Sequence, residues 1–268
     1  MTVAIIGNND GPQRLAAAAR AGGHEVVFVG LQKQEVPDEA TALRLLEPLS
    51  FDLLVNCFAN FRYRRLHHRY PTVNVHLAPL PAYRGRHPLQ WALINGEQEF
   101  GVTIHDINDD YDAGAIRWQR MLAVGDGWSA RELREALMRL LEQDFASFLD
   151  RYDPDGVGLL PNDPGRATYV TRRYPEDSRL GDWADSERVY RKVNALRDDE
   201  HPAYLLRDDG RYPCTGARRG SRRFVGAVPT TVVGRNGEEL EVVCADGRTL
   251  FLRFPGLRLS INDKLCPP

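Results

Sequence analysis

Apolar and polar positions in the first half of the chain alternate between two rhythms. Thr2 to Ile6, Glu25 to Val29, Phe51 to Asn56 and Thr72 to His76 are short apolar runs of the kind that form buried strands. Two stretches with helical spacing separate them. One is alanine-rich, opened by Pro12 and closed by Gly22-Gly23; the other runs from Glu39 to Glu47 and ends at Pro48. Pro88 to Asn95, stopped by Gly96, predicts a further helix. Gly101 to His105 and Ala115 to Leu122 predict a closing strand pair. Ser129-Ala130-Arg131-Glu132 has the form of a capping box, and Leu133, Leu137, Leu140 and Leu141 follow at helical spacing. Strands that alternate with helices imply an α/β fold, a mostly parallel sheet with helices on both faces. In such sheets, sites form beyond the carboxyl ends of strands, at a change in strand order.

The pattern shifts after Tyr152. Asp153-Pro154-Asp155-Gly156 and Pro161-Asn162-Asp163-Pro164-Gly165 are turn-rich and read as a linker. A helix signal follows near Ser186 to Leu196, then short strand signals at Arg222 to Gly226, Thr230 to Val233, Leu240 to Cys244 and Thr249 to Phe254. Asn236-Gly237 and Asp246-Gly247 are hairpin turn pairs. The expected division is an α/β domain over residues 1–152, a linker over 153–170, and a smaller antiparallel β-rich domain, open-barrel-like, over 171–268.

Candidate chemistry gathers between Asn74 and Asp112. Side chains two apart on a strand point the same way, so Asn74 and His76 share a face. Asp112 arrives from a later loop, where Ala113-Gly114 allows close backbone approach. An amide, an imidazole and a carboxylate supply an oxyanion donor, a proton carrier and a group that orients the proton carrier and stabilises its charge. That combination suits acyl transfer to an amine. Asp106 and Asp110 of the same acidic loop read as a solvated turn, and the glycine and distal glutamate of a calcium loop are missing. Gly7-Asn8-Asn9-Asp10-Gly11 is not the dinucleotide fingerprint, and no P-loop occurs. His67-His68, among Arg62, Arg64, Arg65 and Arg69, reads as a solvated basic connection, because neighbouring residues diverge too far to share a metal. Arg218-Arg219 and Arg222-Arg223 read as a solvated hairpin face.

Bulk properties narrow the partners. A formal charge of −2 gives no general electrostatic reason to expect nucleic acid or an anionic membrane. No stretch is apolar for long enough to span a bilayer, and the opening residues lack the basic lead of a signal peptide. The four cysteines are scattered, which fits reduced thiols in a cytoplasm and speaks against a metal site.

Asn74-Val75-His76, Leu80-Pro81-Ala82-Tyr83-Arg84-Gly85, Pro88, Gly101-Val102-Thr103 and Asp112-Ala113-Gly114 closely resemble the formyltransferases that use N10-formyltetrahydrofolate. Tyr83-Arg84-Gly85-Arg86 with Gln90-Trp91-Ala92 is most similar to the sugar N-formyltransferases among them. The resemblance implies a Rossmann-like catalytic domain, a catalytic trio of Asn74, His76 and Asp112, and no metal. It further implies that Arg86 and the loop Asn108, Asp109, Asp110, Tyr111 contact the folate, and that Asn60, Phe61, Arg62 and Tyr63 line its pocket. The implied acceptor is the primary amine of a nucleotide-linked amino sugar, in a cytoplasmic protein that forms a homodimer. Methionyl-tRNA and hydroxyornithine are the alternative acceptors, and a folate-binding module without turnover is the alternative class. One departure stands out: Ala78-Pro79-Leu80-Pro81 replaces the family's Ser-Leu-Leu-Pro after the histidine.

Overall fold

The computed structural model describes residues 1–156, 160–207 and 210–266. Residues 157–159 of the expected linker, and 208–209 and 267–268 of the expected β-rich domain, lie outside the described residues. The chain divides into two compact units. The first comprises Met1–Pro88, Glu99–Ala123 and Arg134–Thr171, and the second Leu89–Gln98, Val124–Leu133 and Arg172–Pro268.

In chain order, the first elements are β1 (Thr2–Gly7), α1 (Gly11–Ala21), β2 (Glu25–Leu31), α2 (Glu39–Leu46), β3 (Leu53–Cys57), α3 (Leu66–Arg69), β4 (Thr72–His76) and the two-residue β5 (Arg84–Gly85). Helix α4 (Pro88–Asn95) leads to β6 (Glu99–Asp106) and β7 (Ile116–Ala123). Helix α5 (Ala130–Asp150) and the short β8 (Tyr169–Val170) complete the series. Six strands form one sheet in the order β2-β1-β3-β4-β6-β7. The first four are parallel; β6 pairs antiparallel with β4, and β7 antiparallel with β6.

Alternation explains the two faces. Ala4 and Ile6 of β1 and Leu54 of β3 join Val36, Leu43, Leu46 and Leu66 in a buried apolar cluster. Val3 and Ile5 point the other way, and both are fully buried. Leu15, Ala16 and Ala19 give α1 a buried stripe, and α1 contacts β1 and β2. The capping box holds: Ser129 N–H donates to Glu132 Oε2 at 2.8 Å and Glu132 N–H to Ser129 Oγ at 3.3 Å.

In the second unit, α6 (Ser186–Ala195) is followed by a hairpin of β9 (Tyr204–Arg207) and β10 (Gly210–Pro213). A second sheet contains β11 (Gly216–Arg223), β12 (Val232–Asn236), β13 (Glu239–Val243) and β14 (Arg248–Arg253). That sheet is antiparallel, ordered β11-β14-β13-β12, and is open because β11 and β12 stay at its edges. Its two foreseen turns carry glycines at φ +61 (Gly237) and +78 (Gly247), a conformation that costs glycine nothing.

Candidate active site

Strand register assembles the site. Asn56, Asn74 and His105 are Cα partners across β3, β4 and β6, so their side chains share one face. Their hydrogen bonds run in a single direction. Ala59 N–H donates to Asn56 Oδ1 (3.0 Å), and Asn56 Nδ2 donates to Asn74 Oδ1 (2.7 Å). Asn74 Nδ2 lies 3.0 Å from His105 Nε2, and His105 Nδ1 lies 2.7 Å from the Asp106 carbonyl. A carbonyl can only accept, so His105 Nδ1 carries the proton and Nε2 accepts from Asn74. Backbone groups at both ends thus fix which way the Asn74 amide faces. One Asn74 N–H is spent on His105, and the other has no protein partner among the described residues.

His76, two residues on, is 7% exposed. Its Nε2 lies 2.9 Å from the Tyr83 carbonyl and its Nδ1 3.7 Å from Asp112 Oδ1. The same carboxylate oxygen is 3.7 Å from His105 Nε2, and Gly85 N–H donates to Asp112 Oδ2 at 2.9 Å. The three expected side chains therefore converge, together with His105. In this arrangement the Tyr83 carbonyl, rather than Asp112, sets the neutral tautomer of His76. The lone pair is left on Nδ1, facing the carboxylate. Burial holds His76 below its ordinary pKa, opposed by the Asp112 charge, so the imidazole is neutral and basic at neutral pH. Burial alone would raise Asp112, but at the acid pH where this carboxyl titrates His76 is charged, and that charge, with the Gly85 N–H, outweighs burial and brings the carboxyl down to about 2.

Asp112 is held in the left-handed region at φ +52 by its neighbours. Asn162 Nδ2 donates to the carbonyls of Asp112 (2.9 Å) and Gly114 (2.8 Å). Buried Arg84 donates to the Asn162 side chain and to its carbonyl, the latter at 3.1 Å. Arg84 and Gly85 also pair with Tyr169 and Val170, and Tyr83 N–H donates to Thr168 Oγ1 at 2.9 Å. Turn-rich as it is, the segment after Leu160 straps the two loops that carry Tyr83 and Asp112. The close approach expected at Gly114 is present: a Cβ there would lie 1.9 Å from the Asp106 carbonyl.

Asp106 departs from its expected solvated role. It is half-buried and accepts from Arg117 Nε at 2.7 Å. Asp110 does lie in an exposed turn, its N–H donating to Asn108 Oδ1 at 3.2 Å.

The residues implied as folate contacts divide in two. Arg86, Asn108, Asp109, Asp110, Tyr111, Asn60 and Arg62 are exposed, with Arg62 stacked 5.5 Å over the Tyr111 ring. Phe61 is half-buried and stacks on Tyr63 at 5.1 Å. Tyr63 itself belongs to the apolar cluster of β1, β3 and α2, so its ring backs the loop from within. The basic connection around His67 is a single helical turn, α3. There the two histidines do not diverge; their rings lie 3.9 Å apart, because imidazole arms of adjacent residues can swing back toward each other.

The chain matches the family model for formyl transferase over residues 1–146. A methionyl-tRNA formyltransferase of Kosmotoga olearia is 31% identical over 189 residues, covering 69% of this chain and 60% of that protein. Among solved structures, HypX from Aquifex aeolicus in complex with tetrahydrofolic acid superimposes with a TM-score of 0.71 at 20% identity, over 93% of this chain and 43% of that one. An N-formyltransferase from Helicobacter canadensis in complex with folinic acid and dTDP-3-aminofucose gives 0.67 at 15% identity, over 94% and 98%. The two structural likenesses carry the fold. Since the family model extends over more than half of its residues, the chain belongs to the formyl transferase family.

Proposed function

We propose that this protein transfers the formyl group of N10-formyltetrahydrofolate to a primary amine, and that a nucleotide-linked amino sugar carries that amine. The reading rests on one observation: Asn74, held by His105, and His76, a neutral imidazole, meet around the Asp112 carboxylate, which lies 3.7 Å from both rings. When bound, the folate supplies an electrophilic formyl carbon. Asn74 offers its second N–H to the carbonyl oxygen as negative charge grows there. His76 accepts the proton of the attacking amine at Nδ1, Asp112 stabilises the imidazolium, and the proton passes on to the departing nitrogen.

The surroundings suit such a donor. Tyr111 is 68% exposed beneath Arg62, and in this reading Asn108 to Tyr111 and Arg86 offer the folate a ring face, an amide and a cation. Asn60, Phe61 and Arg62 line the pocket wall in this reading, with Tyr63 buried behind them. Residues 1–152 then form the catalytic domain, and 171–268 a smaller domain for the acceptor or for pairing two copies. Cys57, Cys214 and Cys244 are buried free thiols, which supports a reducing, cytoplasmic setting.

Two findings bear on the acceptor. The Helicobacter canadensis structure holds an amino sugar nucleotide, and this chain's charge of −2 offers no general attraction for tRNA. Methionyl-tRNA is the second reading, because the 31% identical relative carries that name. Purified protein with N10-formyltetrahydrofolate, offered a panel of nucleotide amino sugars and methionyl-tRNA in parallel, releases tetrahydrofolate with a sugar acceptor. Release only with tRNA overturns the acceptor assignment, and release with none overturns the activity.

A further inference from the structure

We propose that His67, His68 and Asp109 form a binding site for a divalent transition-metal ion of the zinc class. The ion would fasten the loop between β6 and β7 to α3. Three observations carry the assignment. First, His67 Nε2 lies 3.4 Å, and His68 Nε2 3.8 Å, from the same Asp109 Oδ1, and all three ligand atoms lie within 4.8 Å of one another. Bonds of about 2.0–2.1 Å in a tetrahedron put ligand atoms about 3.3–3.4 Å apart. The two nitrogen–carboxylate spacings are close to that value, and an ion would be seated once the exposed His68 ring, now 3.9 Å from that of His67, swings aside.

Second, the His67 side chain is 6% exposed, yet neither of its ring nitrogens has a hydrogen-bond partner. A buried imidazole without partners is costly, and Nε2, which faces the cluster, is satisfied by a metal bond. Third, the other two ligands are free to adjust. His68 and Asp109 have side chains 63% and 79% exposed, and Arg62 donates to the Asp109 backbone carbonyl at 3.3 Å rather than to its carboxylate. Two imidazoles and one carboxylate form a borderline donor set suited to zinc, with water completing the fourth position.

The consequence is mechanical. Asp109 precedes Asp112 by three residues on one loop, so a bound ion limits how far that loop can open. The ion has no part in formyl transfer itself.

The test uses untagged full-length protein carrying Cys266→Ser, which removes the one thiol that is not buried. After chelator treatment it is titrated with Zn²⁺ by calorimetry, without folate, and with Co²⁺ by visible absorption. The expected result is one equivalent bound with a tetrahedral cobalt spectrum. His68→Ala and Asp109→Asn should each weaken affinity by at least about tenfold, since even partners outside the coordination shell cost about 10–100-fold. Both changes are at exposed positions, and unchanged circular dichroism confirms folding. Zn²⁺ should also slow amide exchange over residues 107–112. Absence of binding, affinity unaffected by both variants, or exchange in the loop unchanged by the ion overturns the proposal.

Discussion

Replacing Asp112 with asparagine removes one charge and turns an amide N–H, in place of Oδ1, toward the His76 Nδ1 lone pair. The amide oxygen of asparagine still accepts from Gly85 N–H, and the backbone carbonyl still receives Asn162, so the loop keeps its fastening. What disappears is the attraction between the carboxylate and the imidazolium that forms as the amine gives up its proton. Asp112 Oδ1 stands 3.7 Å from His76 Nδ1. Unit charges at that separation, in an effective dielectric of about 20, attract by about 4 kcal/mol. A barrier higher by that amount slows the chemical step roughly a thousandfold. Because His76 is neutral before the reaction, the loss falls on kcat, and the Kd for the folate holds. Single-turnover tetrahydrofolate release at saturating substrates measures it. The pH profile adds a second readout. Asp112 opposes the burial that depresses His76, so without it the imidazole titrates lower still and the acid limb of kcat/KM moves to lower pH. A loss of less than about tenfold in a variant with the parental melting temperature refutes the assigned role. An acid limb that stays in place refutes it equally.

Other outcomes follow from the same geometry. Asn74→Ala should cost about 3–4 kcal/mol of transition-state stabilisation, read as a loss in kcat with folate affinity retained. Asp112 is also a pH sensor for folding. Its folded pKa of about 2 lies below the ordinary 3.8, so its stabilisation is present above the ordinary value and is lost as pH falls through the folded one. Wild type should lose about 2 kcal/mol more than Asp112→Asn between roughly pH 5 and pH 1, measured by urea unfolding across that range. Asn162→Ala leaves the Asp112 and Gly114 carbonyls and the Arg84 guanidinium without a shared partner. It should destabilise by about 1–3 kcal/mol in thermal melts and lower kcat as well.

What sequence could reveal depended on whether a contact is local. Side-chain alternation alone put Asn74 and His76 on one face, and the close packing at Gly114 was foreseen from the residue type. His105 escaped because its meeting with Asn74 depends on the register of β4 against β6, which loops of unrelated composition set. The Tyr83 carbonyl escaped because backbone atoms leave no signature in residue identity. The facing rings of His67 and His68 contradict the expected divergence, since Cα spacing constrains where side chains begin and not where they end. Hairpin β9–β10 went unread because its strands are only four residues each and include Pro213 at one end.

The strap formed after Leu160 governs how the molecule can be shortened. Trimming at Tyr152, where composition invites a cut, would remove Asn162, Thr168 and the β8 pairing in one stroke. The Asp112 carboxylate would then hang from a loop that is free to relax out of its left-handed bend. An inert piece cut at Tyr152 would therefore report a severed tether rather than missing chemistry.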